Sequence, residues 1–256
     1  MVMLCKKGNL KDIEKYNLKW CSERKYDGIR CIAIINNGEV TLNSRSGRKI
    51  NNQFLEIVDD LKKIEGNHIL DGEICCETFS ITQSRNQTEN KLKTKLLRKK
   101  YPANYYVFDY VCNKTLFWRG RELSYKIFQR YNFEFVNRVT SSTDLKEMWE
   151  KAERENWEGI IIKDLDSYYK NDRSSKWKKI KRIKCEDIKV TSYSVNPAGV
   201  RCETDKGIAV QVSGSSSLSV KNDIDKKGYC LIEINFLNKT KQNKYRQPTF
   251  KKKNGN

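Results

Sequence analysis

The chain is poor in the residues that usually announce metal or proton-transfer chemistry. Of its 256 residues, one is histidine, His68, and three are proline. A single histidine, with no Cys/His spacing of zinc type, leaves little room for a zinc site or a histidine general base; His68 itself reads as a strand-edge residue. The nine cysteines are odd in number and include no C-x-x-C pair, so free thiols and an intracellular setting are expected. Met1-Val2-Met3-Leu4-Cys5-Lys6-Lys7 lacks the apolar centre of a signal peptide. Long apolar runs are missing too. The runs present, such as 32–35 and 160–162, are strand-sized, so no membrane span is expected and the protein reads as cytoplasmic.

Acidic residues are also in short supply, 32 Asp and Glu against 51 Lys and Arg, for a net charge of +19. An excess of this size predicts a polyanionic partner, nucleic acid first. A solubilising lysine surface is the alternative, and an anionic membrane ranks lower because no basic amphipathic helix stands out. Apolar residues make up 38% of the chain, enough to pack one sizeable domain and a small one. No apolar surface stripe demands a second copy, so a monomer is expected.

Residues 18–24 and 30–35 read as strands on either side of an Asp27-Gly28 turn, and 40–44 as a third strand after Asn37-Gly38. Phe54, Ile57, Val58 and Leu61 recur at helical spacing within 52–63, and 69–75 returns to a strand. Residues 80–100 are polar, basic and helical in pieces. An aromatic strand at 105–111 precedes helical stretches at 123–136 and 144–155, the second opened by an Asp144/Glu147 pair resembling a capping box. Strands at 158–163 and 176–183 close this region. Beyond Glu186, short strands at 188–195, 200–204, 208–212 and 229–237 are separated by turn residues, with 213–219 as a flexible loop; this pattern predicts a small antiparallel barrel of the OB type. The expected fold is therefore α+β: antiparallel sheets with flanking helices over 1–183, then an all-β OB-fold barrel over 184–256.

The most informative segment is Lys25-Tyr26-Asp27-Gly28-Ile29-Arg30, a K-x-D-G-x-R pattern that combines a potential covalent nucleophile with a glycine and a cation. A lysine amine attacks phosphorus only when unprotonated and in line with the leaving group. Glu23, two residues earlier, shares its strand face. Arg30 and Arg45, the latter in Ser44-Arg45-Ser46-Gly47, suit ribose or phosphate oxygens, although either alone is as readily surface charge. Leu70-Asp71-Gly72-Glu73 ends one apolar strand and Glu158-Gly159-Ile160-Ile161-Ile162-Lys163 begins another, which places Glu73 and Glu158 to hold Mg²⁺ jointly. An isolated Glu-Gly pair is more often a turn. Phe108 can offer a ring face to a purine, against a default of core packing. In Trp177-Lys178-Lys179-Ile180-Lys181, Lys179 and Lys181 share one face with Trp177 and aim at the same phosphates, and Arg173 lies six residues before Lys179. These cations are expected to crowd around Lys25.

Taken together, the segments resemble the six-motif series of the covalent nucleotidyltransferases, and specifically the ATP-dependent DNA ligases, in order and spacing over nearly the whole chain. The resemblance implies Lys25 as the AMP-accepting lysine. It implies Glu23, Arg30, Arg45, Glu73, Phe108, Lys163, Arg173 and Lys179 as nucleotide contacts, Lys181 as the second lysine of the fifth motif, and Glu73 and Glu158 as metal-associated acids. Three features side with DNA ligases over capping guanylyltransferases and RNA ligases. Tyr26 stands where capping enzymes usually carry Thr; Phe79-Ser80-Ile81-Thr82-Gln83-Ser84-Arg85 and Trp118-Arg119-Gly120-Arg121-Glu122-Leu123 look like ligase segments flanking the aromatic strand; and Tyr245-Arg246-Gln247-Pro248-Thr249-Phe250 resembles the end of a ligase OB domain. One departure follows it: Lys251-Lys252-Lys253-Asn254-Gly255-Asn256 contains no acid, leaving Lys252 or Lys253 to orient the leaving pyrophosphate.

The resemblance implies a nick-sealing enzyme that uses ATP and Mg²⁺, with Mn²⁺ as a substitute, through lysyl-AMP and DNA-adenylate intermediates. A form this small is similar to ligases of viruses, phages and some bacteria. Its partner is nicked double-stranded DNA, contacted through phosphates because nicks occur in any sequence. Arg85, Arg119, Arg121 and the lysines of 92–100 are the candidate phosphate contacts, and 184–187 the hinge on which the barrel swings. The alternatives are a capping guanylyltransferase, an RNA ligase, or a noncatalytic nucleic-acid-binding protein.

Overall fold

The computed structural model describes residues 2–16, 18–204, 207, 209–239 and 244–254, and the chain divides into units Met1–Ile180 and Lys181–Asn256. The first unit opens with β1 (Leu4–Lys7), β2 (Trp20–Arg24), β3 (Ile29–Asn36) and β4 (Glu39–Ser44). β3 and β4 form the expected hairpin, turned by Asn37 and Gly38 with φ of 46° and 84°. Positive φ at both turn positions matches the twist of the paired strands.

α1 (Leu55–Leu61), β5 (Asn67–Cys75), α2 (Phe79–Gln87), α3 (Lys91–Lys100), β6 (Asn104–Tyr110) and α4 (Leu116–Leu123) follow. β7 (Val136–Arg138), β8 (Ser141–Ser142), α5 (Leu145–Arg154), β9 (Gly159–Asp164) and β10 (Arg173–Lys181) complete the series. One sheet has the order β1-β10-β9-β2-β8 and the other β4-β3-β5-β6-β7. The β1/β10 and β6/β7 pairs run parallel, a departure from the wholly antiparallel sheets expected.

β2 and β3 thus belong to different sheets, and the segment between them is a crossing rather than a hairpin turn. Room, not a turn conformation, demands Gly28: a Cβ there would stand 2.2 Å from the Ile74 carbonyl oxygen and 2.5 Å from Cys75 Sγ. The crossing carries the chain from Lys25 to Arg30, and so sets the amine beside both sheets.

Phe54, Ile57 and Leu61, spaced three and four apart, are fully buried and join Ile35, Leu42, Leu70 and Val107 in one core; each side chain buried this way contributes roughly 1.5–3 kcal/mol. Leu145 and Ala152 of α5 pack with Trp157, Ile160 and Ile162 of the other sheet's core. Asp144 caps α5 by accepting from the Glu147 N–H at 2.9 Å. The helix expected over 123–136 instead begins at Leu116 and runs on through a π-helical turn, Ser124–Phe128. It stops short of Val136, which pairs with β6 as part of β7.

The second unit contains β11 (Lys184–Val190), β12 (Ser192–Asn196), β13 (Gly199–Glu203), β14 (Ala209–Val212), α6 (Ser215–Lys227), β15 (Cys230–Phe236) and β16 (Thr249–Lys253). Among the described residues its strands form two three-stranded sheets, β11-β15-β16 and β12-β13-β14, rather than one closed barrel. Both sheets contribute to one core: Ile188, Ile232 and Ile234 meet Val200, Val210 and Val212, with Val220 and Ile224 of α6. The single strand expected over 188–195 breaks at Thr191, so that β11 and β12 enter different sheets. The loop expected over 213–219 is largely the first turn of α6. Val220 and Ile224 give that helix its apolar stripe, and Gly228 (φ 76°) ends it by donating to the Ile224 carbonyl at 2.8 Å. The hinge expected at 184–187 lies inside β11, paired residue by residue with β15; Arg182 and Ile183 are what separates β10 from β11. Lys251 and Lys252 approach Glu233 at 2.8 and 3.5 Å, and Lys253 approaches Asp223 at 2.6 Å. No helix among the described residues is long and apolar enough to cross a membrane.

Candidate active site

Lys25 follows β2 directly and stays tied to the sheet, its N–H donating to the Gly159 carbonyl of β9 at 2.9 Å. Its side chain and that of Glu23 line a cleft of about 320 Å³ in the first unit. β3 brings Arg30 to the same cleft, the turn after β4 brings Arg45, β5 brings Glu73 and β6 brings Phe108. β9 adds Lys163, and β10 adds Arg173, Trp177 and Lys179. Segments scattered from Glu23 to Lys179 therefore meet at one cleft. Lys181 does not line this cleft; it belongs to the second unit, where its Nζ lies 3.4 Å from Gln247 Oε1.

The amine of Lys25 is in contact with Glu158 Oε2, the Lys25 side chain 20% and the Glu158 side chain 7% exposed. The expected cations share the cleft with this amine, but the group in contact with it is a carboxylate that the expectation did not include. Lys163, 1% exposed, pairs with Glu23 at 2.6 Å and donates to the Phe108 carbonyl at 3.1 Å. Burial pushes the Glu23 carboxyl above the usual range, and Lys163 pulls it back. The Phe108 ring lies in the cleft with two cations against it, Arg30 and Lys163, each 4.6 Å from its centroid. Any base that enters shares the ring with them.

Glu73 differs from these paired acids. Burial pushes its carboxyl up to about 7, with Arg30 and Lys25 opposing and Asp71 and Glu158 reinforcing the shift, and among the described residues no hydrogen bond reaches it. A buried carboxyl pushed up in part by a neighbouring carboxylate, and itself short of donors, has the chemistry of a divalent-cation site. The described residues include no cluster of three or more His, Cys, Asp or Glu that could cage a metal. A cation held by Glu73 and Glu158 would complete its shell with waters and substrate oxygens, as Mg²⁺ does.

Two of the three expected phosphate contacts prove to be structural. Arg85, 1% exposed, is locked to Glu56 at 2.5 Å and to the Gln53 and Tyr101 carbonyls at 2.6 and 2.8 Å. Arg119 is fully buried, bidentate to Asp109 at 2.7 and 2.9 Å and bonded to the Ser167 carbonyl at 2.8 Å. Neither has a guanidinium to offer DNA. Arg121 is exposed, 5.5 Å from the Trp118 ring and 6.0 Å from the Phe117 ring. Sequence reasoning also missed contributors. Leu4 and Cys5 of β1 line the cleft, signalled only by the short apolar run before Lys6, and Tyr169 reaches Asp71 from the loop before β10.

Residues 2–181 match the family model of the ATP dependent DNA ligase domain. The Probable DNA ligase of Koribacter versatilis is 28% identical over 211 residues, covering 68% of this chain and 37% of its own. The Bifunctional non-homologous end joining protein LigD of Bacillus subtilis is 27% identical over 207 residues, covering 70% and 34%. The chain thus spans about a third of the length of these relatives. A solved structure from a structure-function study of Lig E DNA ligases shares the fold, with a TM-score of 0.73 at 19% identity over 99% of this chain and 98% of that one. The match of the family model across most of the chain, on a fold that gathers the motif residues at one cleft, shows that the chain belongs to the ATP-dependent DNA ligase domain family.

Proposed function

We propose that the chain seals nicks in duplex DNA by three phosphoryl transfers, with Lys25 as the covalent nucleophile. The observation that carries this reading is the cleft itself, where Lys25 stands among Arg30, Arg45, Arg173 and Lys179 with Glu73 and Glu158 beside it. In the first transfer, Lys25 Nζ attacks the α-phosphorus of ATP, the Nζ–P bond forms, and the bond to the bridging oxygen breaks to release pyrophosphate. The ammonium must first give up a proton, and Glu158 Oε2 is the oxygen in contact with it. Arg45 and Lys179 supply positive charge along the phosphates, and Lys163 and Trp177 close the inner end of the cleft. Glu73 and Glu158 would hold Mg²⁺, or Mn²⁺ in its place, which when bound neutralises phosphate charge.

In the second transfer the 5′-phosphate at the nick takes AMP from Lys25, and in the third the 3′-hydroxyl attacks that phosphate and AMP leaves. The cations that line the cleft serve each step because each moves charge onto phosphate oxygens. We read 1–183 as the adenylation domain, and 184–256 as an OB-type module whose barrel is split into two small sheets on one shared core. Nicked DNA is the partner, and a monomer acting inside the cell is the working unit.

Incubation with α-labelled ATP or GTP and Mg²⁺ tests this. Label retained from ATP, absent in Lys25→Ala, and discharged by nicked duplex DNA is the expected result. Preference for GTP would point to capping chemistry, discharge by nicked RNA alone to an RNA ligase, and no label under any condition to a nucleic-acid-binding protein without catalysis.

A further inference from the structure

Arg30 is held by a closed circuit of hydrogen bonds that joins the two sheets of the first unit. Its Nε donates to Asp71 Oδ1 and its Nη2 to Asp71 Oδ2, both at 2.5 Å, and Nη2 also donates to the Met3 carbonyl at 3.2 Å. The Tyr169 hydroxyl donates to Asp71 Oδ2 at 2.6 Å and accepts from the Met3 N–H at 3.3 Å. From Met3 to Tyr169, Asp71, Arg30 and back to Met3, each member touches the next. Met3 leads into β1 in one sheet, Asp71 and Arg30 belong to β5 and β3 in the other, and Tyr169 arrives from the loop before β10.

The circuit also determines what Arg30 has left to give. Nε and Nη2 are spent, whereas Nη1 makes no hydrogen bond with a described residue, and Arg30 lines the cleft. Asp71 is fully buried and the Arg30 side chain is 15% exposed, so the guanidinium cannot turn without breaking a buried charged pair. Tyr169 is the one side chain in the circuit whose hydroxyl can be removed without removing a charge. Its ring has separate work, lying edge-on to Trp177 at 6.2 Å and 5.8 Å from the Arg119 guanidinium.

We propose that Tyr169 is a positioning residue for nucleotide binding: by fixing Asp71 against Met3, it holds Arg30 so that the free Nη1 edge faces the ribose or phosphate oxygens of ATP. This rests on the reading of the cleft as the ATP site. A held guanidinium binds oxygen at a lower entropic cost than a mobile one. The effect therefore belongs in the binding of ATP and not in the chemistry at Lys25.

The test is labelling of the full chain with α-labelled ATP over a range of ATP concentrations, for the wild type, Tyr169→Phe, Arg30→Lys and the double variant. Tyr169→Phe keeps the ring packing and is expected to stay folded, with a melting temperature lowered by the lost hydrogen bond. Its half-saturating ATP concentration should rise about tenfold, the effect of one charge-assisted hydrogen bond, while the plateau of labelling stays the same. In the Arg30→Lys background the same change should add nothing, because the group it positions is gone. An unchanged half-saturation in Tyr169→Phe overturns the proposal, as does a tenfold rise that persists beside Arg30→Lys, or a lowered plateau with half-saturation unchanged. A wild-type chain that takes no label from ATP overturns the ligase reading and this inference with it. A labelled wild type with an indifferent Tyr169→Phe overturns the inference alone.

Discussion

Arg119 and Arg30 lie in the same unit, each clamped by a buried aspartate, and they differ in what the clamp leaves over. Arg119 spends Nε, Nη1 and Nη2 on Asp109 and on the Lys114 and Ser167 carbonyls; Arg85 likewise spends both terminal nitrogens on Glu56 and two carbonyls. Arg30 faces the cleft with Nη1 uncommitted. The interior region uses guanidinium forks to tie α2 to α1 and to the end of α3, and α4 to β6, whereas the cleft uses its clamp to aim what remains. Positive charge alone therefore does not mark a ligand site. A free donor that faces a cleft does: Arg85 Nε also lacks a partner among the described residues, but that side chain is 1% exposed, and a chain with 51 Lys and Arg contains both kinds.

The comparison breaks hardest where an interior pair is cut. Arg119→Ala or Arg85→Ala leaves a buried carboxylate without its partner, and each is expected to cost about 3–5 kcal/mol of stability. Chemical denaturation should show it as a lowered midpoint. At temperatures where these variants remain folded, their affinity for nicked DNA and its salt dependence should match the wild type. A weakened, less salt-sensitive complex in a folded Arg119→Ala protein would mean that the interior arginines reach phosphate after all.

A smaller effect separates Glu73 from the paired acids. Its folded value of about 7 stands above the ordinary 4.5, so the folded protein holds this proton more tightly than the unfolded chain. The stability this confers is fully present below pH 4.5 and is lost as pH rises through 7. Glu73→Gln has no proton to lose, and without nucleotide or divalent cation it should gain on the wild type by on the order of 2 kcal/mol between those limits, the shift discounted for partial exposure. Thermal melting across pH 5–8 reads this directly. The same variant should label poorly with ATP at every pH, whereas the wild type should label better as Glu73 ionises.

How much of this was legible in the sequence depended on how far away the deciding partner lay. The convergence of Glu23, Lys25, Arg30, Glu73 and Lys163 could be read because each sits at the end or edge of a short strand with a fixed local pattern. The helix α6 was not read: its serine-rich start looks like a loop, although Val220, Ile224 and the closing Gly228 carry a helical signal. The separation of β2 and β3 into different sheets was not legible. A hairpin and a crossing both look like two strands around a glycine, and what excludes the hairpin is the pairing of β2 with β8 and β9 and of β3 with β4 and β5. Burial of Arg85 and Arg119 was equally hidden, since it depends on Glu56 and on Asp109 arriving from other elements. The contact of Glu158 with Lys25 went unread for the same reason. It spans the distance between β2 and β9, which no local pattern encodes.

The mildest expected effect tests the open side of the comparison. Arg121 is the one arginine of the three expected at phosphates that remains exposed, and the Trp118 and Phe117 rings beside it hold its guanidinium at the surface of α4. Arg121→Ala removes no buried partner, so stability should move by less than about 0.5 kcal/mol, as for other surface substitutions. If the guanidinium meets a phosphate of nicked DNA, the loss appears elsewhere: affinity falls by a similar factor for any sequence, and the slope of log affinity against log salt becomes shallower by about one. Titration of the variant with nicked duplexes of two sequences at several salt concentrations measures both. An unchanged slope would assign Arg121 to its two aromatic neighbours and leave the exposed lysines of α3, Lys93, Lys95, Lys99 and Lys100, as the remaining source of positive charge from the expected set. The distinction matters because an arginine stacked on rings is already partly desolvated and held in place, so it gives up less entropy on meeting a phosphate than a free lysine does.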